Sequence, residues 1–415
     1  MGSMLKILHS ADWHLGHQLH GYSRYYEHQV FLDWLLTQLV QQQIDVLCVS
    51  GDLFDTANPS ATSWRQLYQF LAQAVRDCPG LQVILTAGNH DSPSKINAPG
   101  ELLESFDLRL IGHVQKDEQG RLELNRLLVP LKNRQGEILG WGLAVPFLRA
   151  GDLVLDSSIE DGQQRWQQAI YDLYHQLGEL ADSVRQDGQL LMAMGHGHIR
   201  GGTVSEMSER QIMLGGEHAL PADIFPKNCD YVALGHLHLG QHLNADIPIY
   251  YSGSPMPLSL SEQRYHHHVQ LLTWQDNQLS VDSIAIPRCC EMLQVPAQPA
   301  PLAEVLTELA TLSVFEGEVE QSPYLEVQVR LDAPQAQLRE QVIQALDGKN
   351  YRLTRIRTVY PERSQQAHPF AGKDLDELTP NDVFNLCYQQ QYQQQPSAEL
   401  LKAFAQVVHE VEAQQ

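Results

Sequence analysis

The sequence predicts an α/β layered fold, and two observations carry that prediction. Five compact apolar runs rich in Val, Ile and Leu have the composition of strands covered on both faces: LKILHSA near residue 5, DVLCVSG at 45, QVILTAG at 82, QLLMAMG at 189 and DYVALG at 230. Between the first three, residues 24–43 and 60–77 place apolar side chains at intervals of three and four, which predicts helices. A third observation concerns chemistry. Each run ends in polar residues, and layered α/β folds gather polar groups at the carboxyl ends of their strands.

After the first run come Asp12 and His14, two apart and therefore on one side of an extended chain. The second run ends in Gly51-Asp52 and the third in Gly88-Asn89-His90-Asp91. The fourth ends in Gly195-His196-Gly197-His198 and the fifth in Gly235-His236-Leu237-His238. Glycine before each of the last four lets the chain turn sharply. These are the oxygen and imidazole donors that suit manganese, iron or zinc, with no thiolate among them. Taken singly, a DxH or a GD is an ordinary turn. Five such endings in order, each on a predicted strand, predict a metal site. The GHGH pattern leaves His196 and His198 as alternatives for the fourth ligand.

Length and composition bound the function. A chain of 415 residues holds two or three domains, and a hydrophobic content of 43% with a mean hydropathy of -0.30 describes an ordinary globular protein. No apolar stretch approaches a membrane span and no signal-peptide pattern opens the chain, so the expected location is the cytoplasm. Six cysteines form no CxxC pair and are expected to be reduced and structural, Cys289-Cys290 at a domain edge included. A formal charge of -22 excludes a generic nucleic-acid coat. It does not exclude a polyanionic substrate, because distant surface charge is screened over a Debye length of about 8 Å.

The ordered set DxH, GD, GNHD, GH and GHxH resembles the calcineurin-like metallophosphoesterases. SADWHLG at 10, GDLFDTANPS at 51, AGNHDS at 87, VPFLR at 145, ALGHLH at 233 and YSGSPMPLSLSE at 251 are similar, more narrowly, to the SbcD family in the double-strand-break-repair nuclease branch. The resemblance implies a layered β-sandwich flanked by helices, with a small α/β capping domain and a helical C-terminal tail. It implies two divalent ions, manganese first, with magnesium, iron or zinc as alternatives. Asp12, His14 and His238 would hold one ion, Asn89, His196 and His236 the other, and Asp52 would bridge them. Two such ions lower the pKa of water towards about 7, and a phosphodiester would be hydrolysed by in-line attack. His90 would assist the leaving oxygen, with Asp55 as its orienting carboxylate. Asp55 also reads as a turn carboxylate capping the next helix, and Asp91 as either a brace or a helix cap.

The expected domains are a nuclease domain over 4–290, a capping domain over 303–365 and a partner-binding tail over 370–415, with LQVPAQPAPL at 293–302 as a Pro-rich linker. SPYLEVQVRL, QAQLREQVIQALDG and YRLTRIRTVYP predict strand, helix and strand. Arg352, Arg355 and Arg357 are candidate phosphate contacts there, against the reading of a solvated strand face. In the tail, Val383 and Phe384 of one segment and Leu400, Leu401, Phe404, Val407 and Val408 of another form apolar faces that need a cover. They either fold back on the chain or, as the resemblance implies, dock on an SbcC-type ATPase with a coiled coil. The chain has no GxxxxGK[ST] phosphate loop, so ATP dependence would come from that partner. His266, His267 and His268 read as an edge-strand feature.

The expected activity is that of a DNA nuclease acting on duplex ends and hairpins, within a homodimer that forms part of a heterotetramer. The alternative is a phosphodiesterase or phosphatase for a small nucleotide or phosphoprotein, since the core motifs serve both. A binding protein with a vestigial site is disfavoured by the intact set of donors.

Overall fold

The structure is a computed structural model. It describes residues 3–204 and 219–360, together with Phe384, Tyr388, Pro396, Ser397, Leu400, Leu401 and Phe404. From the N-terminus, β1 (Met4–Ser10) leads through β2 (Gln18–Leu19) and β3 (Tyr22–Ser23) to α1 (Tyr25–Gln41), β4 (Val46–Ser50), α2 (Ala61–Asp77) and β5 (Gln82–Thr86). Next come α3 (Pro93–Asn97), α4 (Gly100–Glu104), β6 (Leu108–Ile111), β7 (Leu128–Lys132), β8 (Ile138–Ala144), α5 (Gly162–Val184), β9 (Leu190–His196) and β10 (Tyr231–Gly235). The remainder runs β11 (Gln241–Leu243), β12 (Ile249–Tyr251), β13 (His268–Gln275), β14 (Gln278–Ala285), β15 (Met292–Pro301), α6 (Leu302–Thr311), β16 (Tyr324–Arg330), α7 (Leu338–Ala345) and β17 (Arg352–Val359).

Two six-stranded sheets position the site. Their orders are β14-β13-β1-β4-β5-β6 and β11-β12-β10-β9-β8-β7. In the first, β1, β4, β5 and β6 are parallel; in the second, β9 is parallel to both β8 and β10. Alternation along the strands explains why each run is apolar throughout. Leu5, Ile7, Val46, Cys48 and Ile84 join Ala193, Val232 and Leu234 in the core between the sheets. Leu8, Leu47, Val49, Val83 and Leu85 turn the other way, onto Phe31, Leu35 and Leu39 of α1 and Leu67, Phe70 and Leu71 of α2. Burying each such side chain contributes about 1.5–3 kcal/mol, so a polar substitution on either face opposes the layering. Leu173, Leu177 and Ala181 of α5 belong to the inter-sheet cluster on the side of the second sheet.

The chain divides into two compact units. One comprises Met1–Gln294, Ser313–Glu326 and Gly348–Arg355; the other comprises Val295–Leu312, Val327–Asp347 and Ile356–Gln415. Strands β15, β16 and β17 form a three-stranded sheet in that order. The expected strand, helix and strand are present as β16, α7 and β17, and in the second unit α6 packs on α7. In the tail, Phe384 stacks on Phe404 with ring centroids 4.1 Å apart, so these two apolar positions meet each other. Leu400 is exposed and Leu401 partly buried, while Val383, Val407 and Val408 lie outside the described residues.

Two expectations are corrected. The stretch expected as a linker is the strand β15, and its prolines are tolerated because β15 is an edge strand of its sheet. The histidine triplet does not sit on an edge. Strand β13 begins at His268 and lies between β14 and β1, and His267 Nδ1 donates to the Ser254 carbonyl at 2.7 Å. Pairing with the N-terminal strand β1, hundreds of residues away, places it inside the sheet.

Candidate metal centre

Each sheet contributes a different half of the centre. Asp12 and His14 follow β1, Asp52 follows β4, and Asn89 and His90 follow β5; His196 ends β9, and His236 and His238 follow β10. Asp12 and His14 do not converge through an extended chain as expected. Both lie in the left-handed region, with φ of 55° and 48°, as do Asp52 at 48° and His236 at 101°. Such conformations cost on the order of 1–3 kcal/mol each and persist only when surrounding bonds hold them. Here Asp12 N–H donates to Gly51 O at 3.1 Å and His14 N–H to Asp52 O at 3.0 Å. Two glycines permit the crowding. A Cβ on Gly235 would collide with the Ser50 carbonyl, and one on Gly88 with the Asp52 backbone and carboxylate.

The donors converge on Asp52. Asp12, Asp52 and His196 form one group whose donor atoms lie within 4.8 Å of one another, and His14, Asp52 and His90 form a second. Asp52 belongs to both. Its Oδ2 stands 3.3 Å from His196 Nε2 and 3.6 Å from His14 Nε2, and its Oδ1 accepts the His90 backbone N–H at 2.8 Å. Asn89 Oδ1 lies 2.9 Å from His196 Nε2 and 3.2 Å from His236 Nδ1. The His14 and His238 rings are 5.2 Å apart. Of the two histidines in GHGH, His196 is thus the one gathered in; His198 is only partly buried.

The electrostatics suit bound cations. Asp12, Asp52 and His14 are almost fully buried. Burial, with the nearby Asp52 charge adding to it, pushes the Asp12 carboxyl up to about 7. Burial would raise Asp52 too, but His196, His14 and His90 around it hold it well below the usual range. His196, disfavoured as a cation by burial, is raised to about 9 chiefly by Asp52, while burial and the His196 charge bring His236 down to about 3. Asp12 Oδ2 and both ring nitrogens of His14 are buried without a hydrogen-bond partner among the described residues. Buried polar atoms are otherwise almost always paired, so unpaired donors converging on a shared carboxylate suit divalent ions.

Around the donors, other groups set tautomers. His196 Nδ1–H donates to Ser50 O at 2.9 Å and His238 Nδ1–H to Glu262 Oε1 at 2.9 Å, which leaves Nε2 as the lone-pair nitrogen in each. Glu262 is fully buried and its other oxygen accepts the Leu258 N–H at 2.7 Å. Asp91 is a brace: its carboxylate accepts the backbone N–H groups of Gly88, Leu53 and Phe54 at 2.8, 3.0 and 2.9 Å.

Asp55 departs from expectation. The His90 ring bonds the Asp55 backbone carbonyl at 2.7 Å, while the Asp55 carboxylate stands 3.5 Å from His14 Nδ1. Nor does Asp55 cap α2, since Ser60 does so by accepting the Ser63 N–H. Turn geometry after β4, which residue spacing does not reveal, decides which oxygen reaches His90.

Of the three arginines, Arg352 has its guanidinium engaged with Tyr324 Oη and the carbonyls of Val319 and Glu320, and Arg355 faces Glu326 at 3.6 Å. Arg357 is exposed. Sequence reasoning assigned no role to Glu262 or to Arg149, which bonds the Gly88 and Asp91 carbonyls. Both stand in stretches that carried the family resemblance, VPFLR and YSGSPMPLSLSE, and that was the available signal.

Residues 5–240 match the calcineurin-like phosphoesterase family, and residues 290–392 match a family described as type 5 capsule protein repressor C-terminal domain. The chain is 38% identical over 387 residues to the SbcD component of the SbcCD nuclease of Rhodobacter capsulatus, covering 92% of this chain and 93% of that protein. The chain belongs to the SbcD family of calcineurin-like phosphoesterases. The SbcD protein of Escherichia coli K12 is 29% identical over 92% of both chains. That of Bacillus subtilis is 33% identical over 66% of this chain and 70% of its own. As an SbcD family member the chain is a metal-dependent phosphodiesterase of the nuclease type, with a mixed α/β fold. Among its described residues, no helix is long and apolar enough to cross a membrane.

Proposed function

We propose that this chain is a manganese-dependent DNA nuclease, a double-strand exonuclease and hairpin or single-strand endonuclease that works with an SbcC-type ATPase in DNA repair and recombination. The observation that carries the reading is the pair of donor groups that share Asp52, one with Asp12 and His196 and the other with His14 and the partly exposed His90. Asp12, His14 and His238 would hold one ion and Asn89, His196 and His236 the other, with Asp52 between them. When bound, two divalent ions neutralise phosphate charge and lower the pKa of water.

The chain's own residues do the rest. His90, with Nδ1–H tied to the Asp55 carbonyl, delivers its proton from Nε2 to the departing sugar oxygen. The backbone N–H of His90 on Asp52 Oδ1 keeps that ring next to the shared carboxylate. Only Asp12 and Asp52 are anionic in the donor set, so a loaded site is locally positive and draws a phosphodiester into an acidic protein. The apolar tail positions supply a docking face for the ATPase, and a homodimer within a heterotetramer is the assembly this reading implies. Location in the cytoplasm, at the nucleoid, follows from the substrate.

The test is cleavage of a hairpin-ended duplex in manganese, with and without the ATPase partner and ATP. Wild type is expected to cleave and His90→Ala to retain manganese while losing about 10²–10⁴-fold in kcat. Unchanged cleavage by the variant removes His90 from the mechanism. Turnover of a cyclic nucleotide with no cleavage of DNA overturns the nuclease reading in favour of a small-substrate phosphodiesterase.

A further inference from the structure

Arg149 follows β8 and leads into a short turn, where its backbone N–H is held by Asp152 Oδ2 at 2.7 Å. From there the segment fastens onto the loop after β5. Phe147 N–H donates to Ala87 O at 2.8 Å, and Arg149 Nη2 reaches Asp91 O at 3.1 Å and Gly88 O at 3.3 Å. Those two carbonyls bracket Asn89 and His90. The guanidinium carbon lies 5.0 Å from the Phe147 ring centroid, and that ring meets His196 edge-on at 6.1 Å. Nη1 is buried and has no hydrogen-bond partner among the described residues.

An arginine is suited to this place in a way a lysine is not. One nitrogen of its guanidinium, Nη2, donates to both carbonyls, while the planar group stays charged and lies over the Phe147 ring. A partly buried cation with a buried spare donor is costly unless something anionic comes near it, and the carboxylates of Asp152, Asp91 and Asp52 are the charges it senses. The loop it clamps carries one proposed metal donor and the proposed acid.

We propose that Arg149 is a positioning residue for the reaction: it fixes the Gly88–Asp91 turn so that Asn89 and His90 act together. The idea rests on the reading of Asn89 as a donor and His90 as the acid.

The experiment compares wild type with Arg149→Lys and Arg149→Gln by manganese titration calorimetry, thermal melting and nuclease kinetics on the hairpin duplex. Arg149→Gln is expected to lower kcat by about 10–100-fold and to weaken one of two manganese sites by a similar factor, with a much smaller change in KM. Arg149→Lys, which keeps the charge but loses the planar group lying over Phe147, is expected to recover part of the kcat and little of the manganese affinity. Wild-type kcat and manganese affinity in Arg149→Gln overturn the proposal, as does a fall in melting temperature with both unchanged. Should Arg149→Gln fail to fold, Arg149→Lys decides by the same two readouts. A wild type that neither binds two manganese ions nor cleaves overturns the nuclease reading, and the role of Arg149 with it.

Discussion

The two six-stranded sheets meet at one site but bring opposite chemistry to it. The first, through the ends of β1, β4 and β5, delivers both carboxylates and the Asn89 amide along with His14 and His90; the second, through β9 and β10, delivers imidazoles. Their supporting bonds are opposite too. Oxygens of the first sheet are met by backbone N–H groups, His90 N–H on Asp52 and His236 N–H on Asp12. Imidazoles of the second are met by acceptors, Ser50 O for His196 and Glu262 for His238. Two of these bonds run between the sheets, so each sheet orients donors that the other supplies. The centre is a property of the interface between sheets, and no single strand end can hold it.

The largest effect should come from the side that carries the charge. Asp52→Asn keeps the volume but removes the shared anion, and activity is expected to fall by about 10³-fold, with loss of manganese binding at both sites. Calorimetry that still finds two sites of unchanged affinity would show that the carboxylate is not shared. On the imidazole side the effect should be smaller, because Glu262 acts through His238. Glu262→Gln is expected to weaken manganese affinity by about 10–100-fold and to leave the other ion in place. Equal weakening of both ions would break the assignment of His238 to one ion alone.

Asp91 sharpens the comparison in another direction, since it stabilises the first sheet's loops without facing an ion. Asp91→Ala strands three buried N–H groups, and a loss on the order of 2–4 kcal/mol in chemical denaturation is expected. A loss under about 0.5 kcal/mol would mean that water replaces the carboxylate.

An effect absent at neutral pH concerns His9, which joins the sheets through a 3.0 Å contact with Tyr231 Oη. Burial holds its ring down at about 3, against 6.5 in an unfolded chain. The unfolded state therefore takes up the proton first, and the stability present above about pH 6.5 is lost as pH falls towards 3. Between pH 6 and 4.5 the contribution approaches about 1.4 kcal/mol per pH unit. His9→Asn should flatten the fall in stability over that window in urea titrations; parallel curves for the two proteins would discount it.

Much of this was legible because the strands are buried on both faces, which forces continuous apolar runs and leaves polar residues conspicuous at their ends. The runs at 5, 45, 82, 189 and 230 correspond to β1, β4, β5, β9 and β10, and the two helices between the first three end within two residues of expectation. Strands β11 and β12 were not legible, being three residues each. Strand β15 was hidden by prolines that only its edge position tolerates.

What the sequence determined by itself is the chemistry: which donor types exist, in what order, and that they stand where strands stop. Period-two and period-three-to-four burial leaves few alternatives for such runs, and the donors' identities need no folding to be read. What only the tertiary structure decided is placement: which histidine of GHGH lies against Asp52 and Asn89, the Asp55 carbonyl rather than its carboxylate on His90, Asp91 as brace, and the contacts of Glu262 and Arg149. Each of these depends on left-handed turns and on contacts between residues far apart in sequence, as between Ser50 and His196 or Arg149 and Gly88. Those distances are set by how the two sheets pack, and local spacing carries no record of them.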